Sequence, residues 1–157
     1  MAYAYYNCQK LNGNPVCGDK VINMNTAYSY CNNLTGNPVC GNNIIDMSYA
    51  YFGCSNLIGS PICGFNTVNM YCAYCYCSNL NECTVNWYSP NINNVAYCLF
   101  GKNNSRKYNI YVPTNSITFN TVTINNSSSL VGTSITWINN GICWYNTTYN
   151  IYIYPDL

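Results

Sequence analysis

The sequence predicts an α/β repeat solenoid of 23-residue units, each with a short parallel strand and a short helical turn, closed by a β-rich C-terminal cap. Three observations carry this expectation. Cys8, Cys31, Cys54 and Cys77 recur in step with Met1, Met24, Met47 and Met70, and Ala4, Tyr5 and Leu11 have counterparts at the same step. Apolar residues inside each unit fall three or four apart, and a short segment between two glycines follows them. After residue 100 the pattern changes to strict alternation. A unit this short cannot bury its own apolar face, so units must stack into an elongated surface.

Within one unit, Met24, Ala27, Tyr28, Cys31 and Leu34 share one face of a helical turn, which points inward. Thr35 to Gly41, matched by Asn12 to Gly18 and Ile58 to Gly64, reads as a short extended segment whose copies would form a parallel ladder. Pro15, Pro38 and Pro61 cannot donate to that ladder, which limits it to two or three paired residues per unit. A third stretch, such as Asn43 to Asp46, returns the chain to the next methionine. Ile92, Val95, Ala96, Leu99 and Phe100 form a last, degenerate helical face, so the solenoid is assigned to 1–100, about four units.

The cap or tip is assigned to 101–157. Tyr108, Ile110 and Val112, Ser116 to Ile124, Ser134 to Ile138 and Tyr149 to Tyr154 read as strands. Asn125 to Ser129 and Asn139 to Gly141 supply turn chemistry between them.

The motif Met-x-x-Ala-Tyr-x-x-Cys-x-x-Leu, with Phe52 to Leu57 and Phe65 to Met70, resembles the BspA-like leucine-rich repeats of bacterial surface proteins and related phage-encoded proteins. The resemblance covers roughly residues 1–100 and makes the expected solenoid leucine-rich-repeat-like. The chain departs from the family's pattern at Asn14, Asn37 and Ser60 and at the prolines, where the usual strand is aliphatic. What the resemblance implies is adhesion or host-surface contact without catalysis. Gly101 to Pro113 and Tyr149 to Pro155 also look like the endings of repeat proteins encoded by gut bacteria and their phages.

Composition narrows the function classes. Five basic and four acidic residues nearly cancel, so no strong field steers nucleic acid or anionic membrane to the chain. Solubility then rests on Asn, Ser, Thr and Tyr, which suits an extracellular surface or a virion. The N-terminus shows no export pattern, and no run approaches the roughly 20 apolar residues that cross a bilayer. The first unit lacks a polar cap, which implies that another element covers that end or that the units belong to a longer array. With no histidine and four scattered acids, neither a Ser-His or Cys-His pair nor an acid-base couple can be assembled, so no enzyme is expected.

Twelve cysteines admit three readings. The columns Cys8-Cys31-Cys54-Cys77 and Cys17-Cys40-Cys63 would repeat at about the 4.8 Å strand spacing with parallel side chains, which suits free buried thiols better than disulfides. A zinc or iron-cluster site would rest on Cys72, Cys75, Cys77 and Cys83, but a helix puts Cys77 on the inward column and no second Cys-x-x-Cys exists. No cofactor is therefore expected.

Binding residues are sought among positions that vary between matching units. Tyr3, Tyr6, Tyr30, Tyr49, Phe52 and Tyr76 lie off the inward face and offer aromatic plates for sugars or protein hot spots, or else cover one another. Lys102, Arg106 and Lys107 form a basic group that would meet phosphate or an acidic glycan, or would edge a solvated loop. The expected partner is a host-surface glycan or protein receptor, with the chain acting in a homo-oligomer, a longer chain or a virion. The alternative is a structural fibre that grows by stacking through the open repeat edge.

Overall fold

A computed structural model describes residues 1–80, 84–87, 89–103, 105–113, 130–131, 138–148 and 150–156. Ser116 to Ile124, Asn125 to Ser129, Ser134 to Trp137, Tyr149, Glu82 and Cys83, all used in the sequence reading, lie outside these residues.

The expectation of an α/β, leucine-rich-repeat-like solenoid is corrected: the described residues contain no helix, and their strands form one small mixed sheet. The three- and four-residue spacing is met instead by consecutive tight turns. Ala27 N donates to Met24 O at 2.9 Å, Cys31 N to Tyr28 O at 3.1 Å and Leu34 N to Cys31 O at 3.1 Å, all three residues back instead of the four of an α-helix. The intervening amides point out of the turn. Thr26 N, Tyr28 N and Tyr30 N donate to Ser48 O, Ala50 O and Phe52 O of the next unit at 3.0, 2.8 and 2.7 Å. A helix would consume those donors internally and leave the units joined by side chains alone.

Turning the amides outward requires two left-handed residues per unit. The third position takes φ of 53° to 58° at Tyr3, Thr26, Tyr49, Cys72 and Tyr97. The seventh takes φ of 57° to 61° at Asn7, Tyr30 and Tyr76, with Gly53 and Gly101 in the same role. Outside glycine this region costs energy, here repaid by the bonds between units.

The expected short parallel strands are corrected as well. Between units they reduce to isolated parallel bridges, such as Val16 with Val39 and the series Asn23, Asp46, Asn69, Asn94. Proline removes donors from the Thr35 to Gly41 stretch and its copies, so pairing there does not propagate. Each member of the Asn23 series also holds the turn that follows it: its side-chain oxygen accepts the amide two residues on, at 2.8 to 3.2 Å. Part of the asparagine content is thus structural.

Among the described residues, five strands make one mixed sheet: β1 (Thr84–Asn86), β2 (Tyr108–Pro113), β3 (Ile138–Asn139), β4 (Trp144–Asn146) and β5 (Ile151–Asp156), in the order β1-β2-β5-β4-β3. β1, β2 and β5 run parallel, and β4 pairs antiparallel with both β5 and β3. Asn140 to Cys143 connect β3 to β4, with Asn140 Oδ1 accepting from Ile142 N and Cys143 N at 3.0 Å.

Among the described residues one apolar core joins the stacked turns to the sheet. It runs through the Met24, Met47 and Met70 series, Trp87 and Ile92 to Tyr108, Ile110 and Ile153. Tyr5, Tyr28, Tyr51 and Tyr74 stack ring on ring at 5.1 to 5.5 Å along it. Trp87 Nε1 donates to Pro61 O at 2.7 Å and Tyr108 Oη to Leu80 O at 3.0 Å, tying the sheet to the last units.

Candidate aromatic recognition face

The left-handed third and seventh positions project side chains away from the core, and there the described residues carry a run of contacting aromatic rings. Neighbouring units are not equivalent on this face. Odd-numbered units place a ring at the sixth position and a small residue at the seventh: Tyr6-Asn7, Phe52-Gly53 and Phe100-Gly101. The second and fourth units reverse the order: Ser29-Tyr30 and Cys75-Tyr76. Each ring therefore lies over the small residue of the next unit. A Cβ on Gly101 would come 2.7 Å from Tyr76 Cδ1, and one on Gly53 would come 3.1 Å from Tyr30 Cδ1.

The result is a zigzag rail of edge-to-face rings, Tyr6, Tyr30, Phe52, Tyr76 and Phe100, with centroids 5.1 to 6.0 Å apart. A second rail runs beside it through Tyr49, Tyr71 and Tyr97 at 5.3 and 5.8 Å. Tyr3, Tyr49 and Tyr97 are joined to the first rail by contacts with Tyr6, Phe52 and Phe100 at 6.3, 5.7 and 5.9 Å. Tyr3, Tyr6, Tyr30 and Tyr76 are exposed, while Tyr49 and Phe52 are half-buried. Between Tyr3 and Tyr49 the face opens into a cavity of about 350 Å³ lined also by Tyr6, Asn25, Thr26, Ser29, Tyr30 and Phe52.

The structure thus brings together the six aromatic residues picked from the sequence. It adds Tyr71, Tyr97 and Phe100, which sequence reasoning missed. The fourth unit, which opens at Met70, is two residues longer than the others, so the fifth opens at Val95: interunit bonds such as Tyr49 N to Tyr71 O span 22 residues, whereas Cys72 N to Ala96 O spans 24. A fixed step walks past Tyr97 and Phe100, and allowing one insertion after Leu80 would have found them.

Of the three basic residues, Lys102 is buried, Arg106 half-buried and Lys107 exposed. Lys102 is buried with its Nζ 4.8 Å from the centre of the Tyr108 ring, and Lys107 Nζ lies 4.1 Å from that of Tyr152. Two of the three cations are thus held by tyrosine faces.

The described cysteines are free thiols. Cys31, Cys54 and Cys77 each donate to the carbonyl of a tyrosine in the preceding unit, Tyr5, Tyr28 and Tyr51, at 2.9 to 3.0 Å. Burial raises the pKa of Cys31 and pushes that of Cys54 up to about 12. In the other column Cys17 and Cys63 are buried and Cys40 is half-exposed as a residue, yet its thiol is raised to about 12 by burial. Cys72 and Cys75 lie within hydrogen-bonding reach of each other beneath the aromatic face, while Cys77 faces the core. Among the described residues no group of three or more histidine, cysteine or acidic side chains is placed to hold a metal ion. No described helix is long and apolar enough to cross a membrane.

Comparison with known proteins yields no matching family model, no matching curated protein and no matching solved structure.

Proposed function

We propose that this chain is a non-catalytic attachment module, part of a bacterial adhesin or of a phage fibre or other virion appendage, that recognises a surface receptor through its two aromatic rails. The observation that carries this reading is the exposure of a continuous aromatic face that opens between Tyr3 and Tyr49 into a cavity with polar Asn25, Thr26 and Ser29. Rings held in fixed positions by left-handed backbone lose little freedom on binding, and rings beside hydroxyl and amide groups are the material of recognition hot spots. The resemblance of the repeat motif to BspA-like surface proteins points the same way. Replacing both Tyr6 and Tyr30 with alanine is expected to leave the fold intact, since both are exposed, and to weaken attachment to a panel of bacterial and mammalian cells by about tenfold or more. Attachment at wild-type strength by a folded double variant would refute the assignment.

A second reading, assembly through the outer edge of the first unit, is favoured by one observation. Tyr5 is 41% exposed, whereas its stacking partner Tyr28 is 4% exposed, and among the described residues no backbone donor reaches the carbonyls of Ala2, Ala4 or Tyr6. Cys8 lies exposed at the same edge and serves as the reporter. In reduced, dilute protein it is expected to alkylate well before Cys31, Cys54 and Cys77, as read by peptide mass mapping. If raising the protein concentration selectively protects Cys8, the molecules stack through this edge; unchanged labelling would exclude that.

A further inference from the structure

The second aromatic rail is one ring short. Its positions alternate between third-position tyrosines (Tyr3, Tyr49, Tyr97) and the second-position residue of the unit between them. Between Tyr49 and Tyr97 that residue is Tyr71, whose ring meets the two edge-to-face at 71° and 66°. Between Tyr3 and Tyr49 it is Asn25, and the space a ring would fill is the cavity of about 350 Å³.

Asn25 does not fill that space. Its Nδ2 donates to Ser48 Oγ at 2.6 Å, and its Oδ1 accepts from Thr26 Oγ1 at 3.0 Å, which fixes the amide along the floor. The floors of the two positions also correspond. Cys72 lies within hydrogen-bonding reach of Tyr71 in the filled position, and the same place in the open one is taken by Thr26, whose hydroxyl both donates and accepts. Ser29 stands where the filled position has Cys75. The open position has aromatic walls and a hydroxyl floor, and the molecule itself shows which group fits such walls.

We infer that the Asn25 cavity is a binding slot for a single phenol-sized aromatic ring carried by the ligand, a tyrosine-like side chain of a receptor protein, which completes the second rail between Tyr3 and Tyr49. The inference rests on the recognition reading above and names the group recognised. Edge-to-face contact with two fixed rings orients the entering ring, and the hydroxyl of Thr26 meets its phenol oxygen.

The test uses N-acetyl-L-tyrosinamide as the probe, with methyl pyranosides as the contrasting ligands, followed by NMR titration of the whole chain. One equivalent of tyrosinamide is expected to bind saturably in the millimolar range. Asn25→Tyr, which supplies the missing ring from within, is expected to weaken that binding by about tenfold or more while the thermal unfolding midpoint is kept or raised. Tyr71→Asn is expected to open the second position and raise the stoichiometry to two. Equal binding by wild type and folded Asn25→Tyr would overturn the slot. Binding of the pyranosides with none of tyrosinamide would overturn the phenol assignment and leave the recognition reading standing. That reading fails separately, if cell attachment survives loss of Tyr6 and Tyr30.

Discussion

Replacing Tyr51 with alanine is expected to lower the stability of the fold by about 3–5 kcal/mol, the range for deleting a fully buried large aromatic side chain. Tyr51 is completely buried and its ring stacks between Tyr28 at 5.5 Å and Tyr74 at 5.1 Å. Its loss opens a void in the middle of the column, and rings held from both sides cannot collapse into it. The hydroxyl is a different matter. Tyr28 Oη donates to Val16 O at 2.9 Å and Tyr74 Oη to Ile62 O at 2.7 Å. The corresponding carbonyl for Tyr51 is that of Val39, which accepts from Cys17 N at 3.2 Å, and the buried Tyr51 Oη has only the weakly bonding thiol of Cys40 beside it. Tyr51→Phe is therefore expected to change stability by no more than about 1 kcal/mol and to cost less than Tyr28→Phe, which sacrifices a bond to a carbonyl. Denaturant unfolding of the three variants decides the matter; a Tyr51→Ala protein as stable as Tyr51→Phe would show that the ring column contributes nothing.

The fold is also expected to fail in alkali well before its backbone is threatened. Burial raises Cys40, Cys54 and Tyr28 to about 12 and holds Cys77, Tyr51 and Tyr74 well above their usual range. Each of these groups keeps its proton in the folded state and releases it in the unfolded state once the pH passes the ordinary thiol or phenol range. The unfolded chain then binds fewer protons than the folded one, so stability falls as pH rises. The stabilisation is complete below about pH 8.5 and is lost as pH climbs toward 12, at about 1.4 kcal/mol per pH unit for each fully buried thiol in that window. Thermal melts from pH 7 to 11 in reducing buffer are expected to show a steep drop above pH 9, shallower in Cys54→Ala relative to its own value at pH 7. A melting temperature that stays flat to pH 11 would contradict the burial of these thiols.

The inward residues were legible in the sequence. The spacing of Met24, Ala27, Tyr28, Cys31 and Leu34 alone marks them as one inward set, and all are buried. Their conformation was not legible, because consecutive three-residue turns and an α-helix place the same positions on the same side. What separates the two is the destination of the amides between them, and that depends on the neighbouring unit. The left-handed positions gave little warning, being occupied by Tyr, Thr and Cys as well as by Asn and Gly. Only Gly53 and Gly101 carried the usual signal. On the candidate face, variation between units marked Tyr3, Tyr6, Tyr30, Tyr49, Phe52 and Tyr76, but the alternation of large and small residues acquires meaning only when adjacent units are superposed. Lys102 illustrates the reverse limit: a charge in an Asn- and Ser-rich loop reads as solvated, and its burial over Tyr108 depends on a strand that follows it in the chain.

The staggering of rings over small residues sets a rule for how this molecule can change in length. Because Tyr30 lies over Gly53 and Tyr76 over Gly101, units exist in two kinds that must take turns. Excising one unit from the gene would bring two of the same kind into contact, with ring over ring at one of the two positions and small residue over small residue at the other. A change of length that keeps every ring over a small residue therefore adds or removes two units at a time.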